Sequence, residues 1–339
     1  MKTPVFRSDL QNIMERYAER CRAEHSESSL PNDYRALTSL DQYLKSINFK
    51  GKTVPLTALE GWIHSISYLS SNRVSILITI IGKFLRFASV FGVSSAPVPQ
   101  HTVIDEYQPY IFTSSDLELL FFEADNISQT SQSKNPWIKA EFPMITRLLY
   151  CCGTRLGETL RIQMKNVDLE NGIITILHAK KNKERFVPVS DDLRMILQQY
   201  CMGMSIIADP DAFLFPGRTR NEFLSHDVYQ GIFRRIITKL NIGPGRNSAD
   251  GSYSRGACPH CLRHTFACDS LQQLEDNGII LDDRFPYLST YMGHNGLYDT
   301  QKYLKMSDES VYSGTMKTQG YLKKQGFTTK ALQNTDEWV

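Results

Sequence analysis

Residues 258–268 read Cys-Pro-His-Cys-Leu-Arg-His-Thr-Phe-Ala-Cys, with three cysteines, two histidines and an arginine in eleven positions. Two chemistries fit such a stretch. Cys258-x-x-Cys261 beside His260 and His264 has the makings of a metal-binding turn. The same residues set the Arg263 guanidinium between two imidazoles, a set suited to a phosphodiester. A tetrahedral zinc site needs two ligands beyond the cysteine pair, and the near candidates are the histidines that a phosphate would engage. The expectation is therefore no metal and no cofactor. Cys261 and Cys268 read as small buried packing residues.

Three further boxes carry reactive side chains. Residues 153–158, Gly-Thr-Arg-Leu-Gly-Glu, place Arg155 between two helical stretches with Glu158 three positions on. Residues 178–189 hold Lys180, Lys181 and Lys183 in the turn of a charged hairpin. In residues 291–304, His294 and Tyr303 stand nine positions apart. Together the residue types describe phosphoryl transfer. Two arginine forks can clamp the non-bridging oxygens of a phosphodiester. A lysine can protonate a leaving oxygen, and histidines exchange protons near neutral pH. A tyrosine can attack phosphorus and hold it covalently. No paired carboxylates stand where a metal-dependent nuclease would need them. Each residue also has a plainer reading: Arg155 as a buried arginine paired with Glu158, the lysines as a solvated charge run, Tyr287 and Tyr291 as core residues on a helical stripe with Leu288.

Taken together, the boxes resemble those of the tyrosine recombinases, the phage-integrase type of site-specific recombinase. That family's pattern is an arginine in a G-x-R-x-x-E turn, a hairpin lysine, H-x-x-R-[HK], then G-H with a tyrosine nine residues later. Gly153 to Glu158, Lys180, His260 to His264, Gly293-His294 and Tyr303 fill it in order over roughly residues 110–310. The resemblance implies cleavage and rejoining of specific DNA sites through a 3′-phosphotyrosyl bond, then strand exchange through a Holliday junction in a homotetramer on paired sites. Tyr303 would be the nucleophile, Arg155 and Arg263 would stabilise the phosphorane-like transition state, and Lys180 would protonate the leaving 5′-oxygen. His260 would help accept the tyrosine proton and His294 would bind a non-bridging oxygen. Glu158 and His264 would support them. Among the five neighbouring tyrosines, spacing from His294 selects Tyr303 over Tyr287, Tyr291, Tyr298 and Tyr312. A type IB topoisomerase shares this chemistry but lacks the first histidine of the third box. A catalytically idle DNA-binding accessory protein would need no nucleophile.

Helices must position these groups. Apolar residues recur at helical spacing in 8–25, 33–47, 56–70 and 71–92, which suggests a strand-free four-helix segment. On the last of these, Val74, Leu77, Ile78, Ile81, Phe84 and Leu85 form the buried stripe. Arg73, Lys83 and Arg86 fall towards the polar side as candidate DNA contacts. A proline-bearing stretch at 93–109 reads as a linker. Helices resume at 114–126, with Ser114 or Ser115 as N-cap, and at 141–162, broken near Gly153. Strands are expected at 173–177 and 185–189, and a helix begins near Pro259, whose ring suits a first turn. The expected fold is mainly α with a small antiparallel β-sheet. With the resemblance, the chain divides into a helical core-binding domain (1–100), a linker (101–112) and a recombinase catalytic domain (113–312). A C-terminal tail (313–339) is expected to dock in trans. The first two domains would close as a C-shaped clamp on double-stranded DNA.

Composition sets the remaining bounds. The 339 residues, 41% hydrophobic and 22% charged, fit a globular protein. Residues 1–100 hold twelve Lys and Arg against eight Asp and Glu, while the rest hold 26 against 28. The basic excess thus lies in the first third, which suits an anionic partner. Seven cysteines are an odd number and read as reduced thiols. With no signal-peptide core, and an apolar run at 74–81 far short of a membrane span, the expected location is cytoplasmic, at the nucleoid, with no membrane partner.

Overall fold

The computed structural model describes residues 3–26, 29–103, 109–127, 135–177, 184–243, 256–279 and 281–293, the stretch 281–285 as backbone alone. The chain forms two units, Met1–Tyr107 and Gln108–Val339. No helix among the described residues is long and apolar enough to cross a membrane.

The first unit holds α1 (Gln11–Glu24), α2 (Leu30–Ser46), α3 (Leu56–Ser65) and α4 (Ser71–Ser89). Every member of the expected α4 stripe is buried, and Phe84 and Ile81 are fully so. They share one core with Leu37, Leu40 and Trp62, whose indole N–H donates to Ser39 Oγ at 3.1 Å. The unit is not free of strands. β1 (Thr53–Val54) and β2 (Ser94–Ser95) pair in parallel. Buried Val54 and Val93 draw the two segments together, and Ser94 and Ala96 donate backbone bonds to Lys52 and Val54. The beginning of the expected linker therefore packs into the first unit.

In the second unit, α5 (Ser114–Asp125) is capped one residue before Ser114, the earlier of its two expected caps. Thr113 is the N-cap: its Oγ1 accepts from the Asp116 N–H at 3.2 Å, and the Asp116 carboxylate accepts from the Thr113 N–H at 2.9 Å. This reciprocal pair satisfies two end groups, where Ser114, with Leu117 three positions on, would satisfy one. Next come α6 (Ile138–Cys151) and the short α7 (Leu156–Thr159). A three-stranded antiparallel sheet follows, ordered β3 (Val167–Asp168), β4 (Ile173–Leu177), β5 (Glu184–Pro188). The β3 strand is an addition to the expected pair. Ile174 and Ile176 of β4 point into the core with Val187 of β5, as a two-residue period requires. Helices α8 (Asp191–Gly203), α9 (His226–Leu240), α10 (Pro259–Asp276) and α11 (Leu281–Met292) complete the unit. On α11, Leu288 and Met292 are buried, but Tyr287 is 52% exposed and not a core residue. It lies about 100° round the helix from Leu288, at the margin of the apolar face.

α6 carries an unusual core residue. Glu141 is fully buried, and its carboxylate accepts from Asn135 Nδ2 at 2.7 Å. Burial pushes its pKa up to about 8, against the lowering effect of that hydrogen bond. An unfolded glutamate titrates near ~4.3. Between these values the folded chain holds a proton that the unfolded chain has lost. Stability therefore falls as pH rises through this window, by on the order of a few kcal/mol in total. Thermal unfolding of wild type and Glu141→Gln from pH 5 to pH 8 checks this. The midpoint should drop with pH in the wild type and stay flatter in the variant, and parallel curves would contradict it.

Candidate active site

The site is built from the loop joining α6 to α7, the first turn of α10 and the end of α11. Gly153 turns the chain after α6 with φ +57°, and a Cβ there would overlap the Phe266 ring. Only glycine meets both demands without strain. The turn is fixed by Thr154 Oγ1 against Thr159 Oγ1 at 2.6 Å, and by Thr159 Oγ1 donating to the Arg155 carbonyl at 3.0 Å.

Arg155 is the N-cap of α7. Its backbone N–H and its Nη1 both donate to the Glu158 carboxylate, at 3.2 and 2.8 Å. Nη2 reaches the Gly293 carbonyl at 3.4 Å. The structural pairing with Glu158 is thus real, yet the Arg155 side chain stays 37% exposed and open to a ligand. Glu158 serves a second guanidinium as well, accepting from Arg185 Nη2 of β5 at 2.7 Å. Burial works to raise the Glu158 pKa, but the hydrogen bond and charge of Arg185, then those of Arg155, outweigh it and hold the pKa at about 2. The carboxylate is charged at any ordinary pH and fixes both arginines.

Arg263 is 1% exposed. Its Nη1 donates to the Gly153 carbonyl at 2.5 Å and its Nη2 to the Met292 carbonyl at 2.7 Å. The two arginines of the expected set therefore end on the consecutive carbonyls of Met292 and Gly293, directly before His294 in the chain. Tyr291 reinforces this junction, its hydroxyl donating to the Cys152 carbonyl at 3.2 Å and its ring stacking on Phe266 at 5.5 Å. His260 stands three residues before Arg263, so the two share a face of α10. It is exposed, while His264 is half-buried, and the two imidazoles meet edge to face at 4.6 Å.

Lys180, His294 and Tyr303 lie outside the described residues, as do Lys181, Lys183, Tyr298 and the tail 313–339. Lys180 falls among the six residues between Leu177 and Glu184, which pair across β4 and β5. The candidate DNA contacts sit on α4 of the first unit, with Lys83 and Arg86 exposed and Arg73 half-buried. Among the described residues, three ligand atoms of the kind that hold a metal converge at Cys21, His25 and Asp33, all within 4.8 Å of one another in the first unit. The Cys258–Cys261 turn forms no such group, and its two sulfurs lie 3.5 Å apart. The sequence reading missed Arg185. Its signal was present: Arg185 stands two residues before Val187, and the two-residue period of a strand puts both on the inward face.

The profile of the Phage integrase family matches residues 118–310, more than half of the chain. A XerC tyrosine recombinase of Lactobacillus delbrueckii subsp. bulgaricus is 29% identical over 191 residues, which is 55% of this chain and 58% of that protein. The chain thus matches less than two thirds of that relative's length. Among solved structures, a XerH site-specific recombinase bound to palindromic difH substrate, a post-cleavage complex, superposes with a TM-score of 0.64 at 16% identity, covering 87% of this chain and 81% of that one. The Tn1549 transposon integrase in complex with a circular intermediate DNA gives 0.61 at 15% identity, covering 91% and 99%. At these identities the structural likeness establishes the fold.

Proposed function

The chain belongs to the phage integrase family, and from that premise we propose that it is a site-specific DNA recombinase. It would cleave and rejoin duplex DNA through a 3′-phosphotyrosyl intermediate and a Holliday junction. The observation that carries this reading is the convergence of Arg155 and Arg263 on the carbonyls of Met292 and Gly293. Two fixed guanidinium groups at the head of the segment bearing His294 and Tyr303, Arg155 partly exposed and Arg263 buried, supply the positive charge that a phosphodiester needs.

Tyr303 attacks phosphorus, and the bond to the 5′-oxygen breaks. A phenol with its ordinary pKa of ~10 is almost wholly protonated at neutral pH, so His260 helps to take its proton. Lys180 gives a proton to the departing 5′-oxygen, while Arg155, Arg263 and His294 bind the non-bridging oxygens. The broken ester's energy is kept in the phosphotyrosyl link, so rejoining needs no nucleotide. Glu158 keeps Arg155 oriented, and His264 supports the α10 turn beside His260.

The domain roles belong to the same proposal. Residues 1–100 form the core-binding domain, touching DNA through Arg73, Lys83 and Arg86. Residues 113–312 form the catalytic domain, and the tail docks on a neighbouring protomer of a tetramer. The likeness to a transposon integrase supports service to a mobile element.

The test is covalent capture from a random-sequence library of nicked duplexes, under denaturing conditions and with a strong chelator present. A DNA adduct should form at undiminished yield, since arginine and lysine charges do the work that a metal would otherwise do, and the link should map to Tyr303. Loss of the adduct on chelation, restored by zinc, would revive the metal reading of Cys258 and Cys261. Joining of two captured sites in trans separates a recombinase from a topoisomerase.

A further inference from the structure

The first turn of α10 holds a thiol pair that the cleavage chemistry does not use. Cys258 is the N-cap and Cys261 the third helical residue, with Pro259 opening the helix. Neither is disulfide-bonded, and Cys258 is half-buried while Cys261 is wholly buried. The Cys258 N–H donates to Cys261 Sγ at 3.4 Å, and the sulfurs are 3.5 Å apart. A disulfide requires about 2.04 Å, an approach of about 1.5 Å. A Cys-x-x-Cys pair at a helix N-terminus is the setting in which backbone N–H groups favour a thiolate. His260 lies inside the loop that such a bond would close, and Arg263 two residues beyond it.

We propose that Cys258 and Cys261 are a thiol–disulfide exchange site for low-molecular-weight disulfides of the glutathione type, and that closing it switches off the cleavage proposed above. The second clause rests on that reading of the site. The Cys258 thiol, the accessible one, loses its proton to solvent and attacks one sulfur of the external disulfide. The external S–S bond breaks, one thiolate leaves, and a mixed disulfide forms on Cys258. Cys261 then gives up its proton and attacks the Cys258 sulfur, expelling the second thiolate. The pair loses two electrons and the external disulfide gains them, ending as two thiols. The order follows from exposure, since Cys258 is half-buried and Cys261 is wholly buried. The hydrogen bond to Cys258 and then burial keep the Cys261 thiol well above the usual thiol range, so it acts second. Closure draws the two sulfurs together by about 1.5 Å and so shifts the turn that carries His260.

The reduced full-length chain, equilibrated in glutathione buffers from reduced to oxidised and quenched by alkylation, should take up two fewer alkyl groups at the oxidised end than at the reduced end. Peptide mapping should join Cys258 to Cys261, and dithiothreitol should reverse the change. Hydrogen exchange at residues 256–266 should shift on oxidation. Adduct yield should fall by about tenfold or more, since a 1 Å misplacement alone can cost up to about a hundred-fold. Cys258→Ser, or a folded Cys258→Ala, should keep its yield under oxidation. The proposal is overturned if the thiols stay reduced, if glutathione remains on Cys258 without ring closure, if the bond forms at Cys151–Cys152, or if closure leaves the adduct yield of an active protein unchanged. A reduced protein that forms no adduct condemns the cleavage reading alone, because the disulfide and the exchange shift are measured without it.

Discussion

Changing Arg263 to lysine should lower the rate of adduct formation by about a thousand-fold, the scale of losing a preorganised donor at a developing charge. The reason lies in what the guanidinium joins. Its two terminal nitrogens donate to the carbonyls of Gly153 and Met292, which belong to the segments leading into Arg155 and His294. An ammonium is a point charge and lacks the rigid fork that holds two acceptors at a fixed separation. Lysine would satisfy one carbonyl, and the other segment would lose its anchor. Arg263→Ala should do more, leaving both carbonyls without this donor inside the fold. Each hydrogen bond from a charged group contributes roughly 1.5–3 kcal/mol, so its melting temperature should drop clearly. Single-turnover cleavage measured well below each variant's melting temperature separates lost chemistry from lost folding. Arg155→Lys provides the contrast: that side chain is 37% exposed, so its rate should collapse while its stability barely moves. A lysine at position 263 with the wild-type rate would remove Arg263 from the catalytic set.

Local periodicity made much of this architecture readable. The α4 stripe from Val74 to Leu85 repeats with the helical period, and every predicted member is buried. Ile174 and Ile176 alternate on β4 as a half-buried strand must. What stayed hidden depends on partners distant in sequence or on elements too short to carry a pattern. The Thr53–Val54 pairing with Ser94–Ser95 spans two residues, and β3 is also two residues long, so neither leaves a period to detect. Thr113 outcompetes Ser114 because Asp116 returns the bond, a reciprocity that propensity alone does not rank. Tyr287 shares helical spacing with Tyr291, yet only the true position of the inward face decides that one is exposed and the other half-buried. At the site, motif spacing named Arg155, Glu158, His260 and Arg263 but gave no hint of their mutual geometry. That Glu158 is shared with Arg185, and that both catalytic candidates end on Met292 and Gly293, are long-range facts created by folding.

The second large effect concerns the nucleophile. Tyr303→Phe should reduce adduct formation by at least about ten-thousand-fold, in the range seen when a catalytic nucleophile is removed. DNA affinity in a gel shift should stay within about twofold, because binding rests on phosphate and base contacts that one phenolic oxygen does not supply. The substitution deletes a single atom and leaves the ring, so a loss of this size has no packing explanation. Rival phenols need controls of their own. Tyr291 donates its hydroxyl to the Cys152 carbonyl and stacks on Phe266, so Tyr291→Phe should weaken the α6–α11 junction and alter stability more than chemistry. Tyr287 is the more searching control, since more than half of its surface is exposed and nothing in its burial prevents reaction. Its place seven residues before His294 sets it on α11, upstream of the Met292–Gly293 carbonyls on which both arginines converge. In the proposed reaction the nucleophile must reach the far side of the phosphate from those arginines, and the chain runs from the Met292 and Gly293 carbonyls directly into the segment that bears Tyr303. Tyr287→Phe and Tyr298→Phe should therefore keep their adducts. If either one loses its adduct while Tyr303→Phe retains it, the nine-residue spacing has selected the wrong phenol, and Arg155 and Arg263 must present the phosphate to a different strand of the fold.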